Sequence, residues 1–240
     1  MPARDVANYA NMTLRQAALI TGVALALMTL AAPYAELYVY SKLVVPGDIE
    51  ATIGNLVYER DLFLSGIFAY LVTFIMDVIV AWGLYVLLIP VSRSLSLLTA
   101  VFRIVYTVIA FFALAKLVTA FRLLNTPDFG TVFGPDQLQA QVQMLLNGFR
   151  YEWHMGLILF GLHLGMLGYL IVRSGYIPAF LGYLLGVSML GYLIYYVSPL
   201  FSPSLELDYL MITFFAEPVL MIWLLARGWA IEERVAGRSG

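Results

Sequence analysis

Six runs of apolar residues, each long enough to cross a bilayer, occupy most of this 240-residue chain. A hydrocarbon core about 30 Å thick is crossed by about 20 helical residues, and each run meets that length. With 62% hydrophobic and 12% charged residues, and a mean hydropathy of +0.89, a water-soluble fold could not hide its apolar side chains. Lipid must therefore solvate much of the surface. Backbone N–H and C=O groups in hydrocarbon must be satisfied within the protein, so the spans are helices or the strands of a closed barrel. No stretch alternates polar and apolar residues as barrel strands do. The expected fold is all-α: a polytopic bundle of six transmembrane helices in a single domain over residues 1–240.

Turn residues divide the spans. The first is expected at about 14–38, with Pro33 bending its last turns, and it is too long for the apolar core of a signal peptide. A Pro46-Gly47-Asp48 turn leads to a short helix over 49–58. The second span, about 62–89, stops before Pro90, and a Ser92-Arg93-Ser94 hairpin leads to the third, about 95–123. After a turn-rich loop, Pro135 opens a segment in which Leu138, Val142, Leu145, Leu146 and Phe149 recur at helical spacing among polar residues. That pattern predicts an interfacial helix over about 135–149, before a fourth span at about 151–172. Arg173-Ser174-Gly175 and Pro178 form a second hairpin. The fifth and sixth spans follow at about 177–197 and 209–227, separated by Pro199 and Pro203.

Basic residues set the expected orientation. The side that holds both termini and the two tight hairpins carries Arg4, Arg15, Arg93, Arg173, Arg227, Arg234 and Arg238, against Asp5, Glu232 and Glu233. The other side carries Lys42, Arg60, Arg122 and Arg150 among many carboxylates, including Asp48, Asp128, Asp136, Glu206 and Asp208. Seven basic residues against four place both termini in the cytoplasm of a multi-pass inner-membrane protein. The absence of cysteine excludes disulfides, thiolate nucleophiles and cysteine-held metals. A formal net charge of −2 argues against a nucleic-acid partner, and no nucleotide-binding or HExxH motif is present. No cofactor and no metal site is expected.

Ionisable residues at membrane depth are expensive and mark either function or internal pairing. At about 1.5 Å per residue, Arg103, His163 and Glu217 lie roughly 14 to 15 Å from the cytoplasmic side, and Asp77 about 20 Å. The four sit on four different spans and form the candidate ligand-binding cluster. Asp77 shares a helical stripe with Tyr70, Thr73 and Ala81, and Arg103 one with Thr107 and Ala110. The blander alternative is structural: Asp77 and Arg103 neutralise each other, and His163 hydrogen-bonds Glu217. Histidine titrates near neutrality, which makes His163 the expected protonation switch of a working site. A secondary polar layer near the opposite side comprises Glu36, Lys116, Glu152 and His154, and interfacial anchoring is its preferred reading. His154 and His163 are nine residues apart, on opposite faces of one helix, and cannot share a metal. Gly161, Gly165, Gly182 and Gly186 recur at small-residue spacing, suited to packing spans 4 and 5 closely or to receiving a membrane-protein partner.

Several segments in order carry a resemblance. These are Val44-Val45-Pro46-Gly47-Asp48; Asp77 with Leu84-Tyr85-Val86-Leu87-Leu88-Ile89-Pro90-Val91; Phe102-Arg103; and the stretch from Val132 to Ala140. Phe160-Gly161-Leu162-His163, Gly168-Tyr169-Leu170, Arg173-Ser174-Gly175-Tyr176 and Glu217 with Trp223-Leu224-Leu225 continue it. Together they resemble the bacterial membrane family called domain of unknown function 4386. The resemblance implies the six-span architecture and the Asp77, Arg103, His163 and Glu217 layer, and it brings no reaction with it.

Three functions fit the sequence. One is non-enzymatic: binding of a lipid or small ligand, or movement of protons or a solute, through the polar cluster. The second is an intramembrane lipid-modifying enzyme. The third is an accessory subunit whose glycine faces pack against a membrane partner. Membrane lipids are expected contacts in all three.

Overall fold

The computed structural model describes residues 12–126, 134–202 and 207–231. Arg4, Asp5, Asp128, Pro203, Glu206, Glu232, Glu233, Arg234 and Arg238, which enter the sequence-based reading, lie outside the described residues. The fold is all-α, with six helices long and apolar enough to cross a membrane.

Helix α1 (Leu14–Pro33) runs on through a wider π-helical stretch, Tyr34–Tyr40, into Ser41–Leu43. Pro33 offers no N–H, so the regular ladder is interrupted there and the following turn relaxes by one residue; Ser41 N–H then donates to the Glu36 carbonyl. Helix α2 (Ile49–Tyr58) starts at Asp48, whose side chain accepts the Ala51 N–H at 2.9 Å. Gly47, at φ 79°, supplies the left-handed residue that the turn before it requires. The other spans contain α3 (Arg60–Leu88), α4 (Arg93–Asn125), α5 (Pro135–Ser174), α6 (Ala179–Val197) and α7 (Ala216–Arg227).

Two expectations are corrected here. The stretch over 135–149 is helical but is not a separate interfacial segment, since it is the opening part of the 40-residue α5. Nothing between Phe149 and Tyr151 breaks a helix, so the amphipathic pattern runs straight into the apolar one. At about 1.5 Å per residue α5 is roughly 60 Å long, more than any bilayer's hydrocarbon needs. The sixth span is not α-helical throughout: Asp208–Phe215 is a 3-10 helix, and α7 begins at Ala216. Pro218 explains the change. In the first turn of an α-helix its missing N–H leaves no bond unmade, whereas a helix started earlier would lose one there.

The helices divide into two compact units. The first comprises Met1–Leu27, Met76–Thr107 and Met155–Gly240, and the second Met28–Ile75 and Val108–His154.

Glycines let helices of the first unit approach closely. A Cβ on Gly168 would meet the Gly182 carbonyl at 2.5 Å, and one on Gly182 the Gly168 carbonyl at 2.5 Å. A Cβ on Gly161 would press on Tyr192, and one on Gly165 would collide with the Met189 sulfur. Gly161, Gly165 and Gly182 therefore serve contact between α5 and α6 of the same chain, and Gly186 alone of that candidate partner set faces open space. Gly22 and Gly228 seat Leu225 and Ala18 in the same way between α1 and the end of the last span. In the hairpin before α6, the buried Tyr176 hydroxyl donates to the Leu87 carbonyl at 2.5 Å, and burial pushes that hydroxyl above its usual range, so it remains a donor.

In the second unit Val39 fills the notch above Gly66, and the Lys116 stem lies over Gly148. Tyr70, Phe74, Phe149 and Trp153 form a ring cluster with edge and tilted contacts.

The seam between α5 and α6 predicts an asymmetry between neighbouring glycines. Gly182→Val should lower stability by about 1 to 3 kcal/mol through overpacking. Gly186→Ala should be neutral or slightly stabilising, as Gly to Ala is in helices. Thermal unfolding in detergent checks both; equal effects at the two positions would contradict the packing described.

Candidate functional site

Four helices of the first unit each deliver one ionisable side chain to a common point. Asp77 comes from α3, Arg103 from α4, His163 from α5 and Glu217 from α7. On α4 the buried residues Thr99, Arg103 and Thr107 recur every four positions, which fixes the polar face of that helix. Thr99 and Thr107 hydroxyls bond back to Leu95 and Arg103 carbonyls, at 2.7 and 2.8 Å, and so add no unsatisfied donor to the site.

Arg103 is the hub, and its side chain is 0% exposed. Its Nε donates to Asp77 Oδ1 at 2.8 Å, with Nη2 only 2.6 Å from the same oxygen. Its Nη1 donates to Glu217 Oε1 at 2.6 Å and lies 3.2 Å from His163 Nε2. The guanidinium also stands over the Phe160 ring, 5.1 Å from its centre. The pairing of Asp77 with Arg103 is thus as the sequence suggested. The bond expected directly between His163 and Glu217 is replaced by two bonds to a shared nitrogen of Arg103.

The tautomer of His163 follows from its neighbours. Arg103 can only donate, so Nε2 must accept. The proton then sits on Nδ1, which donates to the Thr99 carbonyl at 2.8 Å. His163 is held neutral between a permanent donor and a permanent acceptor. This corrects the expectation that it is the protonation switch: a second ring proton would face the guanidinium.

With both carboxylates ionised, the cluster holds two negative charges against one positive charge, a net −1. Asp77 Oδ2 is buried and has no hydrogen-bond partner among the described residues. Glu217 lies in the first turn of α7, where the helix dipole is complementary to a carboxylate, and 15% of its side chain is exposed.

The secondary layer, all in the second unit, is arranged differently. Glu36, in the π-helical stretch, accepts the Tyr70 hydroxyl on Oε2 at 2.5 Å and Arg150 Nη1 on Oε1. Arg150 also lies 5.2 Å from the centre of the Tyr40 ring. Lys116 pairs with Glu152 at 2.7 Å, and His154 is within electrostatic reach of Arg150 and Glu36. Each carboxylate there has its own cation, so the layer is neutral, with both oxygens of Glu36 satisfied. Charge counting along the sequence placed Arg150 among the basic residues of the outer side and missed it as the partner of Glu36. Thr99 was also missed, although its position four residues before Arg103 was a visible signal.

The fold and the cluster define a six-span membrane protein with an intramembrane ion-pair network. The chain belongs to the family described as Domain of unknown function (DUF4386), which it matches over residues 20–228. It is also 33% identical over 162 residues to an uncharacterized protein of Archaeoglobus fulgidus, covering 68% of this chain and 83% of that relative. No solved structure matches the chain.

Removing only Arg103 should be the most damaging change in the cluster. Arg103→Leu leaves two buried carboxylates without a cation and should cost about 3 to 5 kcal/mol. Adding Asp77→Asn and Glu217→Gln to it should restore part of that loss. Purely additive losses in a thermal-stability cycle would show that the groups do not interact. His163→Gln, which keeps an acceptor toward Arg103, should be better tolerated than His163→Leu.

Proposed function

We propose that this protein takes up and releases a proton at the Asp77, Arg103, His163 and Glu217 cluster, and that it moves protons or a proton-coupled solute across the membrane. The observation that carries this reading is the unbalanced buried charge, together with the unbonded Asp77 Oδ2. A net charge in hydrocarbon is costly, and one bound proton makes the cluster neutral. Arg103 keeps its charge and His163 is fixed as an acceptor, so the proton goes to a carboxylate. Glu217, the partly exposed member, provides the exchange point. Ion pairs that only staple helices need no such imbalance, and Glu36 is matched by Arg150 one to one.

Infrared difference spectroscopy across a pH titration tests the reading. A protonated-carboxyl band should appear as pH falls in the wild type, and Asp77→Asn or Glu217→Gln should remove or shift it. Absence of any titrating carboxyl band assignable to these two residues would overturn it.

The orientation proposed with this function puts both termini in the cytoplasm, in a bacterial inner membrane as the family resemblance suggests. Support comes from the excess of arginine on the side of the two short hairpins. Single cysteines at Ser94 and Ser202 should label from opposite sides of intact membranes, Ser202 from outside. Labelling of both from one side would refute the arrangement.

A further inference from the structure

A chain of aromatic rings leads away from the cluster within the first unit. Phe160, which carries the Arg103 guanidinium on its face, touches Tyr106 at 4.9 Å and Tyr192 at 5.3 Å between ring centres. Tyr192 in turn contacts Phe214 at 4.1 Å and Tyr196 at 5.8 Å, and Tyr195 contacts both of those rings. At the far end the Tyr195 hydroxyl donates to the exposed Asp208, at 3.4 Å. Asp208 opens the 3-10 helix that ends immediately before α7 and Glu217. Eight residues of 3-10 helix rise roughly 16 Å, at about 2 Å each. An exposed carboxylate, a run of aromatic rings packed against one another and a partly exposed intramembrane carboxylate therefore follow one another along α6 and the last span, the two least buried spans.

This sequence of groups has a definite chemical preference. Ring faces attract cations and the guanidinium on Phe160 already exploits one of them. Arg103 is fully engaged with Asp77, Glu217 and His163, so the cluster offers no unengaged positive charge to an anion. The surplus negative charge and the unbonded Asp77 Oδ2 point the same way. An inorganic cation would have to shed its water among rings that offer few oxygens, whereas an organic cation carries its own apolar surface.

Resting on the proton-exchange reading above, we infer that the cluster takes a lipophilic organic cation, of the quaternary onium or protonated amine class, in exchange for its proton. The exchange balances in charge. The protonated cluster releases H⁺ as the cation arrives, Glu217 becoming the carboxylate beside it, and neutrality is kept in both states.

Tetraphenylphosphonium is the probe, with tetraphenylborate as an anion of matching size. Titration calorimetry of the purified protein in detergent should show saturable binding of the phosphonium. Affinity should fall as pH is lowered, and buffers of different ionisation enthalpy should reveal proton release. The borate should not bind. Tyr192→Leu should weaken binding about tenfold, the size of one partly desolvated cation–π contact, and Tyr192→Phe should preserve it. Glu217→Gln should abolish it. Because Glu217→Gln could also unfold the protein, thermal unfolding accompanies each variant, and the Tyr192 pair tests the inference independently of that carboxylate. Equal binding of phosphonium and borate, or phosphonium binding indifferent to Tyr192→Leu, would overturn the inference as mere partitioning, as would no binding at all. A titrating carboxyl band in the wild type combined with any of those results would sink this inference and leave the proton reading standing.

Discussion

Within the cluster, the guanidinium of Arg103 is the charge that pH does not remove, and the arrangement around it follows from that constraint. A buried arginine must be met by carboxylates and acceptors in the fork geometry of its nitrogens, or its desolvation is uncompensated. Three other helices supply them: Asp77, His163 and Glu217 all turn toward the same planar group. Each contact fixes the rotation of a helix about its own axis. The glycine seam between α5 and α6 brings those helices close, while the Arg103 contacts determine which faces point inward.

The two polar clusters of this chain show why burial alone does not indicate function. Glu36 has one cation, two bonded oxygens and an aromatic hydroxyl, which is what a structural clasp requires. The Arg103 cluster has one carboxylate too many and a carboxylate oxygen with nothing bonded to it. A protein that needed only to hold α3 to α4 could have done so with Asp77 and Arg103. Glu217 adds a second negative charge and stands at the junction of two helix types, where Pro218 has forced a change of geometry.

Much of this was legible in the sequence because membrane burial limits the alternatives. Apolar length fixed the spans, and depth counting along ideal helices brought Arg103, His163 and Glu217 to one layer with Asp77 within reach of it, as the contacts around Arg103 have them. What depth counting could not supply was rotation. Its structural alternative bonded His163 to Glu217, when both address Arg103, and it counted Arg150 only as a charge of the outer side when that residue reaches Glu36. The 3-10 character of Asp208–Phe215 was hidden because propensity does not separate two helix types; only the position of Pro218 hinted at it. The continuity of α5 was missed because a change from amphipathic to apolar pattern looks like a boundary when no proline or glycine is needed to make one.

The neutral state of His163 narrows what the site can accept. Had Nε2 carried a proton, the cluster would balance two carboxylates against two cations, and it would have no remaining appetite for charge. The Arg103 guanidinium opposes that: it can only donate, so Nε2 accepts from it, and the ring's proton on Nδ1 goes to the Thr99 carbonyl at 2.8 Å. With both carboxylates ionised, the cluster is thus one positive charge short. An anionic headgroup would deepen that deficit and would find the Arg103 nitrogens already engaged. A positive charge relieves it, and the smallest is a proton. The proposed preference for a positive charge therefore follows from the count of charges around Arg103.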